Sequence, residues 1–217
     1  MELISKENME KVLNFIYNKA VNGVAGMDSA YDLAQDYKSK YPQDLNKQIS
    51  SLVNWQCLKS GATGFVTNLG GLITLPVALP ANITGVLLLQ LRMIVAIAIL
   101  CGYKPNNDRV QTLAYCCLIG DSINTFIKKA GVQLSNKIGY KVIGKIPYAV
   151  IKKINKEIGM KILTKFGQKG IINLWKFVPV LGGVVAGGFD AVSTKTVGSF
   201  AKKSFVSNDS KNFVYSG

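Results

Sequence analysis

Without a single histidine, this chain must draw any chemistry from carboxylates, lysines, two arginines and four cysteines. The absence of imidazole removes Ser-His-Asp and Cys-His catalysis, histidine acid–base work and most catalytic zinc sites. The cysteines are Cys57, Cys101, Cys116 and Cys117. They lack metal-ligand spacing, the vicinal pair is poor disulfide geometry, and all four lie in apolar surroundings. They therefore read as buried free thiols in a reducing cytosol. The carboxylates available to an enzyme, Asp108, Asp121 and Asp190, show no spacing that specifies a reaction. We expect no enzyme, no cofactor and no metal.

Charge is the second chemical resource. The net charge is +14, and Arg92 and Arg109 are the only arginines among 26 basic residues. Base readout and phosphate forks favour the planar guanidinium, whereas lysine is a point charge suited to a headgroup layer or to solubility. The expected partner is anionic lipid or a membrane protein, with no specific nucleic acid; oligomeric state stays open. Between Lys128 and Lys169 there are eleven lysines and one acid, Glu157. Ile151, Ile154, Ile158, Ile162 and Phe166 recur there at helical spacing, with Lys152, Lys153 and Lys156 opposite. Lys137, Lys141, Lys145, Lys152, Lys153 and Lys156 are the candidate membrane-facing residues. A solvated lysine face on a core helix would give the same pattern.

One charge stands apart. From Phe65 to Cys101 the chain is uncharged except for Arg92, which lies among Leu87, Leu88, Leu89, Leu91, Met93 and Ile94. A buried guanidinium needs a partner, because an unpaired buried charge is very costly. The candidate buried polar cluster is Gln90, Arg92, Asp121 and Asp190, with Arg92 paired to Asp121 or Asp190. The other reading has Arg92 lining a polar cavity that meets an anion. Ile83 to Cys101 is long enough to span a membrane. The central Arg costs about 3 kcal/mol on the insertion scale, roughly cancelling much of the aliphatic gain. The central helix of a bundle is the favoured reading, ahead of a true span.

These residues need helices to position them. Met9, Val12, Leu13, Ile16 and Ala20 form one stripe of an N-terminal helix ended by Gly23 and Gly26. Ser29 and Asp32 stand at capping-box spacing and open a second helix that stops at Pro42. A third starts near Asp44 with Leu45, Ile49, Leu52, Val53 and Cys57 inward. Asp108 reads as the N-cap of an apolar helix through Ile127. No strand-like alternation occurs. The expected fold is all-α, a helical bundle with two Gly/Pro-broken apolar helical segments packed at its centre. The first is interrupted by Gly64, Gly70, Gly71, Pro76, Pro80 and Gly85. The second runs from Phe177 to Asp190, where Gly183 and Gly187 have small-xxx-small spacing for close helix packing. Residues 1–205 read as a single domain and 206–217 as a polar tail. Apolar residues are 48% of the chain and its mean hydropathy is +0.22, enough for a sizeable core. Met1 to Glu7 has no basic region followed by an apolar one, so no signal peptide is expected.

The stretch from Gly64 to Asn82, with Gly70-Gly71, Pro76 and Pro80, resembles the signature of the EcsC protein family. Gln90-Leu91-Arg92-Met93, Gly102-Tyr103, Asp108 and Cys117-Leu118-Ile119-Gly120 extend the resemblance. So do Pro179-Val180-Leu181-Gly182-Gly183 and Gly187-Gly188-Phe189-Asp190. It covers about Ser29 to Phe205. The resemblance implies a bacterial protein, and the family takes its name from a partner of an ABC transporter system. A peptidase label loosely attached to the family finds no metal or nucleophile motif here. The expected function is peripheral association with the cytoplasmic face of the inner membrane through a Lys-rich surface, as an accessory to a transporter or membrane complex. The alternative is a soluble helical interaction scaffold with no membrane or enzymatic activity.

Overall fold

The computed structural model describes residues 6–62, 81–129, 146–166 and 186–206. Residues 63–80, which hold most of the glycines and prolines of the first broken segment, and 177–185 of the second, including Gly183, lie outside the described residues, as do Lys137, Lys141 and Lys145. Among the described residues there are eight helices and no strand: α1 (Lys6–Asn22), α2 (Ala30–Lys40), α3 (Leu45–Gly61), α4 (Ala81–Leu100), α5 (Asp108–Ile119), α6 (Ile123–Lys129), α7 (Tyr148–Phe166) and α8 (Ala186–Phe205). The fold is all-α, as its periodicity predicts.

Local sequence accounts for most helix ends. The α1 stripe is buried at Met9, Val12, Leu13, Ile16 and Ala20. Gly23 ends it at φ +86, and a Cβ there would lie 3.0 Å from the Ser29 nitrogen, so glycine is required on both counts. The capping box of α2 is complete: the Ser29 hydroxyl accepts from the Asp32 amide while the Asp32 carboxylate accepts from the Ser29 amide. Asp44 caps α3 by accepting from the Lys47 amide at 2.9 Å. Pro147 immediately precedes α7, where its missing N–H is harmless.

The long apolar helix expected from Asp108 to Ile127 is divided. Asn107, not Asp108, is the N-cap, its side chain accepting from the Arg109 amide. Gly120 adopts the left-handed conformation, φ +71, and closes α5. The chain then restarts as α6.

Helix α4 is the axis of the bundle. It packs against α1, α2, α3, α5 and α8, while α7 lies on α1 and α5. Every residue from Ile83 to Ala98 is buried. The window Ile83–Leu100 has mean hydropathy 2.3, enough in length and composition to cross a membrane, yet 89% of it is buried inside the protein. Helices all round it supply the apolar surroundings that lipid would otherwise provide. Helices α3 and α8 approach closely at Gly198, where a Cβ would stand 2.7 Å from both Val53 methyls. Tyr17 ties α1 to the turn before α5 by donating to the Pro105 carbonyl at 2.9 Å.

Candidate functional site

The polar groups of α4 point to two different neighbours. Gln90 faces α8, where its amide donates to the Ser193 and Thr194 hydroxyls at 3.2 Å each. Arg92, two residues on, faces the start of α2 and the middle of α3. Its Nη1 donates to the Asp28 backbone carbonyl at 2.9 Å, and its Nη2 approaches the Gln56 Oε1 at 3.4 Å. Arg92 is 2% exposed, and Arg92 Nε, Gln56 Nε2 and Gln90 Oε1 are buried without hydrogen-bond partners.

No carboxylate among the described residues forms an ion pair with Arg92. Burial lowers its pKa, opposed by the charge of Asp28 and by Tyr37. A guanidinium holds its proton through such a shift. Burial also pushes the Tyr37 phenol up to about 12, against the nearby Arg92 charge.

The expected partnership of Arg92 with Asp121 is not formed. Asp121 follows the Gly120 cap and bonds Lys161 of α7 instead. Its side chain is 27% exposed, so it does not belong to a buried cluster. Burial favours its neutral form, but hydrogen bonds from Lys161, Thr125 and the Ser122 amide outweigh that and lower its pKa. Asp190 lies in the first turns of α8, with its side chain outside the described residues. Asp108 and Asp121 stand at opposite ends of α5, about 18 Å apart by helix rise, too far to share a proton-transfer step.

Sequence reasoning missed Gln56 and Asp28 as the partners of Arg92. Gln56 carried a readable signal: Ile49, Leu52, Val53, Gln56 and Ser60 are one buried stripe, so a polar residue interrupts an inward face. The backbone carbonyl of Asp28 carries none.

The lysine face of α7 lies where the spacing puts it. Ile151, Ile154, Ile158 and Ile162 are buried, and Lys152, Lys153 and Lys156 are exposed. The apolar stripe is covered by α1 and α5, so this helix turns its charged side outward. At its N-terminal end Tyr148 is 57% exposed, with the Lys152 ammonium 5.0 Å from its ring centre. Lys161 lies at the edge of the stripe, paired to Asp121 and 4.7 Å from the Phe126 ring centre.

Open depressions occur on the surface of the described residues. One, of about 270 Å³, is lined by Asn106 to Arg109, Tyr148 and Ile151. Another, of about 430 Å³, is lined by Asn22 to Val24, Gly26 to Ser29 and Asp32. Arg92 lines neither. No group of three or more metal-ligating side chains occurs among the described residues.

The class these features define is an all-α bundle with a buried apolar axis and a basic surface. Comparison with family models, with curated proteins and with solved structures returns no match in any of the three.

Proposed function

We propose that this protein docks peripherally on the anionic cytoplasmic face of the inner membrane, as an accessory to a transporter or other membrane complex. The observation that carries the reading is the α7 face: Lys152, Lys153 and Lys156 exposed together, with Tyr148 at one end. Each lysine near an anionic surface contributes about 1 kcal/mol. The Lys-dominated charge and the resemblance to the EcsC family support the same reading. Its cysteines, free in the structure, suit a reducing compartment. The burial of Ile83–Leu100 favours peripheral contact over spanning. It equally favours the second reading, a soluble helical scaffold that contacts other proteins.

Vesicle flotation separates the two. The protein floats with phosphatidylglycerol-containing vesicles, not with neutral ones, and is released as salt screens exposed charge beyond about 10 Å at ~0.1 M. Reversing Lys152, Lys153 and Lys156 to Glu weakens binding at least ~100-fold, from about 1 kcal/mol per lysine. Equal flotation with both vesicle types, or none with either, rejects membrane docking and leaves the scaffold.

A further inference from the structure

Two buried donors flank one contact at the centre of the bundle, and neither has an acceptor. Arg92 Nε and Gln56 Nε2 are both without a hydrogen-bond partner, on residues that are 2% and 0% exposed. A buried N–H left unmade costs more than an ordinary hydrogen bond returns, so such groups are nearly always satisfied.

The two donors belong to the same place. Nε shares its guanidinium carbon with Nη2, and Nε2 shares its amide carbon with Oε1, while Nη2 and Oε1 approach each other at 3.4 Å. Both orphans therefore stand beside a single contact between α4 and α3. Turning the Gln56 amide over is no remedy, because it would set an NH2 group against Nη2, donor against donor. Nη1 is committed elsewhere, to the Asp28 carbonyl at 2.9 Å. The pair calls for one acceptor that receives from both side chains.

Charge decides what kind of acceptor. Asp28 is the one acid, among the described residues, whose charge acts on Arg92, and the same carboxylate acts on Lys59. Burial and the Arg92 charge both lower the pKa of Lys59. One acid thus faces two cations, and the three groups together carry a positive charge. A water receives both N–H bonds but leaves that charge as it is, and its own hydrogens then need acceptors. A monovalent anion receives both bonds and neutralises the charge, and a charge-assisted bond gains strength away from water. Burial sets its size: a place this enclosed suits a bare halide and not a phosphate or a lipid headgroup.

We propose that Arg92 and Gln56 form a buried halide site, in which one chloride accepts from Arg92 Nε and Gln56 Nε2 and ties α4 to α3. The site does not rest on the membrane reading above, since none of its groups lies on α7.

Melting is followed in sodium gluconate, with chloride or bromide replacing gluconate at constant ionic strength. Screening of the +14 chain is then the same throughout. The melting temperature rises with halide and levels off, by roughly 3–6 °C once the halide stands about tenfold above its Kd. Arg92→Met melts close to the parent in gluconate and gains nothing from halide. Gln56→Leu keeps the guanidinium and loses one donor, so it needs about tenfold more halide for the same gain. The Lys152, Lys153, Lys156 to Glu variant keeps the whole response, because surface lysines do not make the site. Bromide-soaked crystals show an anomalous peak between Arg92 and Gln56. Equal melting of the parent in gluconate and chloride, a response that survives both substitutions, or a bromide map without a peak at this contact overturns the site. If Arg92→Met does not fold, Gln56→Leu and the bromide map still decide.

Discussion

Replacing Arg92 by methionine asks whether the buried charge is needed or merely tolerated. Methionine keeps most of the side-chain volume and removes every donor. What is lost is the charge-assisted bond to the Asp28 carbonyl, worth about 1.5–3 kcal/mol, and the long contact to Gln56, worth little at 3.4 Å. What is relieved is a guanidinium buried without an ion-paired carboxylate and with Nε unpartnered; apolar replacement of buried ionic groups returns roughly 1–4 kcal/mol. The terms are similar in size and opposite in sign. Arg92→Met should therefore lie within about 1.5 kcal/mol of the parent protein, and its melting temperature within about 6 °C. Arg92→Ala also empties the space beyond Cβ at a position that is 2% exposed. Large-to-small changes in a core cost about 2–5 kcal/mol, so its melting temperature should drop by roughly 4–20 °C. Thermal and urea unfolding of the three proteins measure both effects. Amide exchange should rise around Asp28 in both variants, because the turn before α2 loses its tie to α4. If Arg92→Met is as damaging as Arg92→Ala, the charge itself is needed and an anion must meet it. If Arg92→Ala melts like the parent, Arg92 is not packed as described. Combined with Asp121→Asn, Arg92→Met should be additive within about 0.5 kcal/mol, as for residues that share no partner.

Two further substitutions test the packing and the surface. Gly198→Ala drives a methyl into both Val53 methyls at 2.7 Å, and overpacking of this kind costs about 1–3 kcal/mol. Its melting temperature should fall by roughly 2–12 °C, and Val53→Ala in the same chain should restore part of the loss. Asp121 has its pKa lowered in the folded protein, so its contribution is complete above the unfolded carboxylate value of about 3.9 and vanishes as pH falls through the folded value. With the pair part-exposed and screened, Asp121→Asn should destabilise by only about 0.5–1 kcal/mol at pH 7. That difference should close in pH-resolved unfolding as pH falls below the unfolded carboxylate value and through the lowered folded one. A loss that persists in acid would mean the residue acts by packing rather than by charge.

Local signals were legible where chemistry and geometry are read from the same few residues. The Ser29–Asp32 capping box, the stripe of α1 and the opposed isoleucine and lysine faces of α7 all follow from helical spacing. The division at Gly120 was not legible, because Cys116 to Leu118 and Phe126 to Ile127 continue one apolar pattern across it. The glycine and Asp121 mark the break only once the left-handed backbone is seen. Asn107 and Asp108 are both good caps, and sequence alone does not choose between neighbours. The partner of Arg92 was illegible for a different reason. Side-chain patterns nominate carboxylates, whereas a guanidinium donates equally well to a turn carbonyl that any residue could supply.

The apolar excess of the chain is thus divided between two places with different physical meaning. In α4 it is consumed inside the protein: five helices surround it, and Gln90 and Arg92 at its centre are turned toward hydroxyls of α8 and toward acceptors on α3 and before α2. A helix held this way leaves the bundle only by breaking those bonds and exposing the apolar faces of its neighbours, so its hydropathy says little about lipid. On α3 and α8 the exposed apolar area is smaller, but folding leaves it uncovered. Trp55, Leu58 and Val192 are exposed on helices that the close approach of Gly198 to Val53 holds together, so solvent reaches each of them without rearrangement. The difference predicts how the protein behaves when stressed. Detergent should shift Trp55 emission at concentrations that leave the melting transition intact, because the indole is reached without unfolding. Exposure of α4 should require the whole cooperative transition. A single transition in which Trp55 and α4 amides respond together would mean that the α3–α8 face is part of the core rather than a surface poised outside it.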